Sequence, residues 1–349
     1  MINPHKSSME YEIYEQPQVI TELIKKLVNG CDIDIDVPQN TEKIVFVASG
    51  SSYHCARYGA DLFGNIALIE ARAIYSSEFL LKAAVPHETN ILYVFITQSG
   101  ETSDTNEALK RAKELGMRTL AITNKIGSTI WKAADYKIDC HAGEEKSIAA
   151  TKSLITQMIC VTLLVLKFAQ LKGIKVSEYL AQIKTVPQVI IETLNMHKNI
   201  KKVAKKLSKY KLIVVTADGI SYAIAKEISL KIKETSYICT ISSILGEFMH
   251  GHVAVLNNKS AQIHVSAEPL HEIAVRNLNK MREDYNIPLC YIGDLQEPIK
   301  TDYILNVDVD SFIPRVFATV VIGQLLALEI AQSLGRNIDK PHGLNKVVK

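Results

Sequence analysis

Two stretches of this sequence combine side chains at spacings that can do chemistry. The first is Tyr93-Val-Phe-Ile-Thr-Gln-Ser-Gly-Glu-Thr-Ser-Asp-Thr105, an apolar, β-branched run that breaks into hydroxyls and a glycine and then enters a helical pattern. Thr97, Ser99, Thr102 and Ser103 supply hydroxyls, and Gly100 leaves backbone N–H groups approachable where a helix N-terminus favours negative charge. The combination suits a phosphate; the same residues also fit a plain strand-to-helix turn in which Thr102 or Ser103 caps the helix. The second stretch is the helical run Ser221 to Tyr237. At about 100° per residue, Lys226, Ser229 and Lys233 share a solvent face, whereas Glu227, Lys231 and Glu234 fall within a roughly 60° arc flanked by Ala223, Leu230, Ile224 and Ile228. Charges set into an apolar face must be paired or used, because removing them unpaired from water costs several kcal/mol. They form either a ladder that steadies the helix or the proton-transfer face of a site.

Two further segments carry chemistry-bearing groups. Gly246-Glu-Phe-Met-His-Gly-His252 holds two histidines, which titrate near neutrality and can move a proton to or from a sugar ring oxygen; the segment is equally a hydrogen-bonded turn. The tail Asp339-Lys-Pro-His-Gly-Leu-Asn-Lys-Val-Val-Lys349 is broken by proline and glycine, and is either loose or folded over a site to bring Lys346 to it.

The elements that must position these groups alternate. A helix is predicted from Glu12 to Val28, a polar connector from Asp32 to Asn40, a strand from Lys43 into a small-residue loop Gly50-Ser-Ser-Tyr53, and a helix from His54 to Ile69. Strands follow at Ala71–Tyr75, Ile91–Ile96, Arg118–Thr123 and Tyr136–Cys140, with a helix from Asn106 to Leu115. Such alternation means a parallel sheet covered on both faces. Lys152–Gln170 and Ser177–Met196 read as helices, and then the pattern restarts: Gly219-Ile-Ser-Tyr222 echoes Gly50-Ser-Ser-Tyr53, and Thr240-Ile-Ser-Ser243 echoes Ile74-Tyr-Ser-Ser77. This is a duplicated α/β domain. Strands at Ala261–Val265, Pro288–Ile292 and Tyr303–Val307 and a helix from Val316 to Leu334 complete the second copy. Near Ser266-Ala-Glu-Pro-Leu270 that copy lacks the hydroxyl cluster, so only the first is built for phosphate.

Composition bounds the rest. The chain has 349 residues, 47% hydrophobic and 22% charged, with a net charge of +3, which excludes neither fold nor catalysis but gives no footing for nucleic acid or an anionic membrane surface. The opening Met-Ile-Asn-Pro-His-Lys carries no apolar leader, and the apolar runs Leu154–Phe168 and Phe317–Ala331 are shorter than a membrane span and interrupted by Gln157, Lys167, Gln324 and Glu329. A cytoplasmic protein with reduced thiols is expected, since its six cysteines form no C-x-x-C pair and no metal-ligand spacing.

At these residues the sequence resembles the SIS (sugar isomerase) family, and within it the isomerase halves of the glutamine–fructose-6-phosphate amidotransferases. The landmarks are Glu12-Ile-Tyr-Glu-Gln-Pro17, Ala48-Ser-Gly-Ser-Ser-Tyr53, Gln98-Ser-Gly-Glu-Thr102, Ala142-Gly-Glu-Glu145, Ala149-Ala-Thr-Lys152, Lys231-Ile-Lys-Glu-Thr-Ser-Tyr237, Gly246-Glu-Phe-Met-His-Gly251 and the tail from Asp339 to Lys346. The resemblance implies an α/β fold of two tandem SIS domains, each a parallel five-stranded sheet flanked by helices. The expected organisation is an N-terminal arm (1–35), a phosphate-binding domain (36–170), a helical connector (171–205), a second domain (206–335) and a closing tail (336–349). It implies that Ser51, Ser52, Thr97, Gln98, Ser99 and Thr102 hold a sugar 6-phosphate, that Glu234 carries a proton between C1 and C2, and that His250 assists ring opening from the partner of a homodimer. Lys346 would contact the sugar carbonyl or form an imine with it, and Lys231 would orient Glu234 or the substrate. The strategy needs neither metal nor cofactor: phosphate anchoring places C1–C2 over one carboxylate.

Two departures narrow the expectation. The chain opens on the isomerase portion, with isoleucine at position 2 where a glutaminase would carry its nucleophilic cysteine, so synthesis from glutamine is not expected. His252 stands where the synthase pattern has proline, and with Ile148 and Ala150 it bears on which sugar is taken. The expected activity is that of a phosphosugar isomerase of the amino-sugar deaminase or fructosamine 6-phosphate deglycase type. The alternatives are a non-catalytic sugar-phosphate-binding regulator and a plain aldose–ketose isomerase.

Overall fold

The chain enters its fold through two helices, α1 (Ser8–Tyr14) and α2 (Gln16–Leu27), where the sequence predicts one from Glu12 to Val28. Pro17 explains the break: a ring without an N–H is tolerated only in a helix's first turn, so a new helix starts just ahead of it. The computed structural model describes residues 7–81 and 90–347. The opening hexapeptide, where no leader is expected, and the last two residues of the tail lie outside the described residues. β1 (Val28–Asn29), at the end of the expected helix, pairs antiparallel with β2 (Asp32–Ile33), at the start of the expected polar connector.

The first sheet contains β3 (Lys43–Ala48), β4 (Glu70–Tyr75), β5 (Ile91–Thr97), β6 (Arg118–Thr123) and β7 (Tyr136–Asp139), all parallel, in the order β4-β3-β5-β6-β7. Its helices are α3 (Gly50–Leu62), which runs on into a π-turn over Phe63–Ala67, then α4 (Ser76–Leu81), α5 (Ser103–Glu114), α6 (Thr129–Ala133) and α7 (Lys152–Leu171). β5 is buried at every residue, as a β-branched run between two layers of helices should be. On α5 the buried residues Thr105, Ala108, Leu109 and Ala112 follow helical spacing, and the last three share one core with Val45, Val47, Tyr93 and Phe95.

After α8 (Ser177–Asn195) and α9 (His197–Leu207), whose Lys201, Lys202, Lys205 and Lys206 are exposed as expected of a solvated face, the second sheet begins. It contains β8 (Leu212–Ala217), β9 (Cys239–Ile244), β10 (Ser260–Ser266), β11 (Leu289–Gly293) and β12 (Tyr303–Asn306), again all parallel, in the order β12-β11-β10-β8-β9. The sequence marks β9 only through its repeat echo, because an edge strand with only Thr240 and Ser243 buried lacks a continuous apolar run. The helices are α10 (Ser221–Ser236), α11 (Leu245–Phe248), α12 (Glu272–Tyr285) and α13 (Phe312–Ser333).

Among the described residues α7 and α13 are long and apolar enough to cross a membrane, but 83% and 100% of their most apolar stretches are buried in the protein. They are core helices. Gly323 lets α13 approach α10: a Cβ there would lie 2.3 Å from Ile228 Cγ1.

Both sheets have one topology, in which the second strand lies outside the first and the third returns to its other side. The switch point falls between β3 and β5 in one sheet and between β8 and β10 in the other, and in open α/β sheets the crevice at the strands' carboxyl ends there is the place for a ligand. The chain divides into two compact units that are not simply its two halves. Residues 18–145, 150–184 and 345–349 form the unit of the first sheet, and residues 1–17, 146–149 and 185–344 that of the second.

Candidate functional site

At the first switch point, β3 and β5 pair with Ala48 opposite Ile96, and each strand runs straight into a helix. Ser49 takes an extended cap conformation and α3 starts at Gly50, so Ser51 and Ser52 occupy the first helical turn rather than the loop expected before a helix at His54. Gly-Ser-Ser reads as loop by composition, but small hydroxyl residues also suit a first turn, where side chains meet the orphan N–H groups. Neither Ser49 nor Thr102 caps its own helix. Ser49 Oγ instead donates to Asp104 Oδ2 at 2.9 Å, tying the starts of α3 and α5 together, and the Thr102 and Thr97 hydroxyls share a hydrogen bond of 2.9 Å. Ser52 Oγ donates to Gln157 Oε1 at 3.1 Å.

The loop between β5 and α5 is pinned from outside. The Gln98 carbonyl accepts from Asn124 N (3.1 Å) and Thr123 Oγ1 (3.3 Å), Ser99 Oγ accepts from Glu101 N (3.1 Å), and the Gly100 carbonyl accepts from Ile130 N (3.3 Å). Gly100 has φ +68°, and a Cβ on it would lie 2.1 Å from Ser128 Oγ, so only glycine fits. Glu101 accepts from Thr129 N (2.9 Å) and Thr129 Oγ1 (2.8 Å), and these bonds hold its carboxyl below the usual range. The result is two adjoining helix N-termini, neither capped by its own side chain, lined by Ser51, Ser99 and the Thr97–Thr102 pair. Chemically this is an anion cradle.

In the other unit, α10 carries the charge ladder. Lys231 is 1% exposed, 3.5 Å from Glu227 Oε1 and 2.5 Å from Glu234 Oε2; the Glu227 side chain is 4% exposed and that of Glu234 22%. The arc read from helical periodicity therefore exists, its charges are paired, and of its two carboxylates Glu234 reaches solvent. His250 is exposed in the turn after α11, its N–H on the Glu247 carbonyl at 3.0 Å. His252 stacks on the buried Phe248 with ring centroids 6.3 Å apart.

From Asn345 onward, the end of the tail belongs to the unit of the first sheet. Lys346 Nζ lies 2.5 Å from Glu145 Oε2, whose side chain is fully buried. Glu145 Oε1 accepts from Thr151 N (2.9 Å) and Ser153 N (3.0 Å), and Oε2 accepts from Ser153 Oγ (2.6 Å), at the start of α7. Burial works to raise this carboxyl; the Lys346 charge and hydrogen bond, with those of Ser153, outweigh it and hold it below the usual range. Glu145 stood in the sequence only as the end of Ala142-Gly-Glu-Glu145, because its partner is 201 positions away. Asn124 was missed too: its side chain accepts from Ala142 N (2.7 Å) and donates to the Gly143 carbonyl (2.7 Å) while its N–H holds Gln98. Among the described residues no group of His, Cys, Asp and Glu is placed to hold a metal ion.

Comparison with known proteins follows this geometry. The SIS domain family model matches residues 39–167 and 206–309. The chain is 32% identical over 348 residues to glutamine–fructose-6-phosphate aminotransferase (isomerizing) of Campylobacter jejuni, covering 97% of this chain but only 58% of that protein's length. Among solved structures, the C-terminal domain of glucosamine-fructose-6-phosphate aminotransferase from Francisella tularensis superposes with a TM-score of 0.92 at 24% identity, covering 97% of this chain and 99% of that one. Glucosamine-6-phosphate deaminase from Thermotoga maritima superposes with a TM-score of 0.79 at 21% identity over 98% and 99%. Two parallel five-stranded sheets of one topology, matched by the same family model twice, make this chain a member of the SIS domain family.

Proposed function

We propose that the protein is a phosphosugar isomerase that acts on an amino-sugar or fructosamine 6-phosphate, as a deaminase or deglycase. The observation that carries this reading is the state of Glu234: alone of the α10 ladder it reaches solvent, while a buried lysine holds its carboxylate in one position. A general base needs both properties. In this mechanism Ser51, Ser52, Thr97, Gln98, Ser99 and Thr102 hold the phosphate, and the binding energy so gained fixes the sugar. Glu234 takes the proton from one of C1 and C2 of the open-chain sugar and returns it to the other; Lys231 orients Glu234. His250 assists ring opening from a second copy of the chain in a homodimer, and Lys346 meets the sugar carbonyl. The Campylobacter protein, an aminotransferase with an isomerizing step, and the Thermotoga protein, an amino-sugar phosphate deaminase, support the amino-sugar substrate class. We further propose domain limits of 36–170 and 206–335, with 1–35 as arm, 171–205 as connector and 336–349 as tail, and a cytoplasmic location.

The test is a panel of hexose, amino-sugar and fructosamine 6-phosphates assayed together for ammonia, free amine and ketose, with C1 and C2 proton exchange followed in deuterated water. Release of ammonia or amine with exchange is the expected result. Tight binding without exchange for any substrate would make the protein a sensor, and exchange confined to unsubstituted hexose phosphates would make it a plain aldose–ketose isomerase.

A further inference from the structure

We propose that Glu145 is a positioning residue for Lys346, and that Asn124 fixes this latch to the phosphate loop so that the anchor and the amine are held on one frame. The inference rests on the reading of the chain as a phosphosugar isomerase. Three donors from Thr151 and Ser153 immobilise the fully buried Glu145 carboxylate before any lysine arrives, so the lysine comes to the carboxylate and not the reverse. Lys346 completes the set at 2.5 Å while its side chain stays 25% exposed, held at its tip yet open to a ligand. The pair fixes the tip of a flexible four-carbon side chain, and a reactive group misplaced by about 1 Å loses on the order of 10²-fold in rate. The frame is continuous: the Gln98 carbonyl of the phosphate loop takes the Asn124 N–H, and the Asn124 side chain grips Ala142 and Gly143, two residues ahead of Glu145.

The decisive variant is Glu145→Gln, which keeps an amide oxygen for the Thr151 and Ser153 N–H groups but loses the charge that Lys346 needs. Trimming by carboxypeptidase Y, followed by intact mass, should halt at Lys346 in the wild type and pass it at least about tenfold faster in Glu145→Gln. Should that variant fail to fold, Lys346→Met breaks the same pair from the other side and should also release the tail. Equal trimming in wild type and variant overturns the latch whether or not a substrate is known. In turnover, Glu145→Gln should lower kcat by about 10²-fold with KM within about threefold, and Glu145→Gln with Lys346→Met together should be no worse than Lys346→Met alone. Additive losses would mean that Glu145 acts otherwise than through Lys346. If Lys346→Met frees the tail but turns over normally, the part given to Lys346 in the proposed reaction fails while the latch stands.

Discussion

The two switch points share a topology and a glycine but not their contents. Gly50 and Gly219 both follow the first strand of their sheet with positive φ, +58° and +54°. Where a Cβ on Gly50 would project, no described atom lies within 4 Å; on Gly219 it would lie 3.0 Å from Glu268 Oε2. Glu268 accepts the Ile220 N–H at the start of α10, and Asp218 accepts the Leu245 and Gly246 N–H groups at α11. The second copy therefore satisfies its helix starts with its own carboxylates, where in the first neither Ser49 nor Thr102 caps its own helix and the lining is of hydroxyls. Duplication supplied two like switch points, and side-chain choice lined one with hydroxyls and the other with carboxylates. In the proposed reaction the second copy contributes instead through the charges of α10.

The largest test of this division is on α10. Lys231→Met would strand two carboxylates, one of them buried, and should cost about 3–5 kcal/mol in urea unfolding. On α3, its counterpart in the first copy, Arg57 and Asp61 pair at 3.1 Å with side chains 41% and 22% exposed, and Arg57→Met should cost less than about 1 kcal/mol. Equal losses at the two helices would remove the contrast between a buried ladder and a solvated pair.

Next is Glu234→Gln, which keeps size and shape but cannot accept a proton. Turnover should fall by at least about 10²-fold. Affinity for a sugar 6-phosphate, proposed to be set in the other copy, should change by less than about tenfold. Intact turnover with stability lower by roughly 1 kcal/mol would reduce the ladder to a structural device.

At the open cradle, Ser99→Ala or Thr102→Val should weaken sugar-phosphate binding by about 1–3 kcal/mol, read by calorimetry. Ser266→Ala, at the end of β10 where the second copy ends its third strand, should leave that affinity unchanged. Its hydroxyl is committed to the Glu268 carbonyl at 2.6 Å. Unchanged affinity in both first-copy variants would show that the phosphate sits elsewhere.

Much of this was legible without coordinates, and the limits have physical causes. β5 is a continuous apolar run and β6 a shorter one, Leu120 to Ile122, and both stand where the sequence puts them; the α10 arc follows from 3.6 residues per turn, a local property of one helix. The duplication showed through two short echoes, and the sheets confirm it by topology. What stayed hidden depends on residues far apart in sequence. Glu145 finds Lys346 across 201 positions, and Glu268 meets Ile220 only once β8 and β10 are side by side. Ser51 and Ser52 were misplaced for a different reason: a Gly-Ser-Ser run carries no periodic signal, so the tertiary position of the strand end decides where α3 begins.

The smallest expected effect concerns pH, and the filled cradle gives it a sign. Burial pushes the Glu268 carboxyl above its ordinary value of 4.5, against the Ile220 N–H, which works to lower it; burial does the same to Asp218. A carboxyl raised in the folded state disfavours its own ionisation, so its contribution is fully present below the unfolded value and is lost as pH rises through the folded one. Glu268→Gln, which cannot ionise but keeps an acceptor for Ile220, should therefore be slightly more stable than wild type at pH 7–8, by less than about 1 kcal/mol because the group is partly exposed. The difference should close below about pH 4, where the wild-type carboxyl is protonated as well. Glu145 runs the opposite way: its carboxyl is lowered, so its contribution is present above the ordinary carboxylate range and lost as the solution is acidified. Urea midpoints of both Gln variants across pH 3–8 should thus diverge from wild type in opposite directions as pH rises. Parallel curves would mean that Glu268, like Glu145, is held by a favourable partner, and the second cradle would then have to be read as a site that binds its carboxylate well rather than one filled at a small expense in stability.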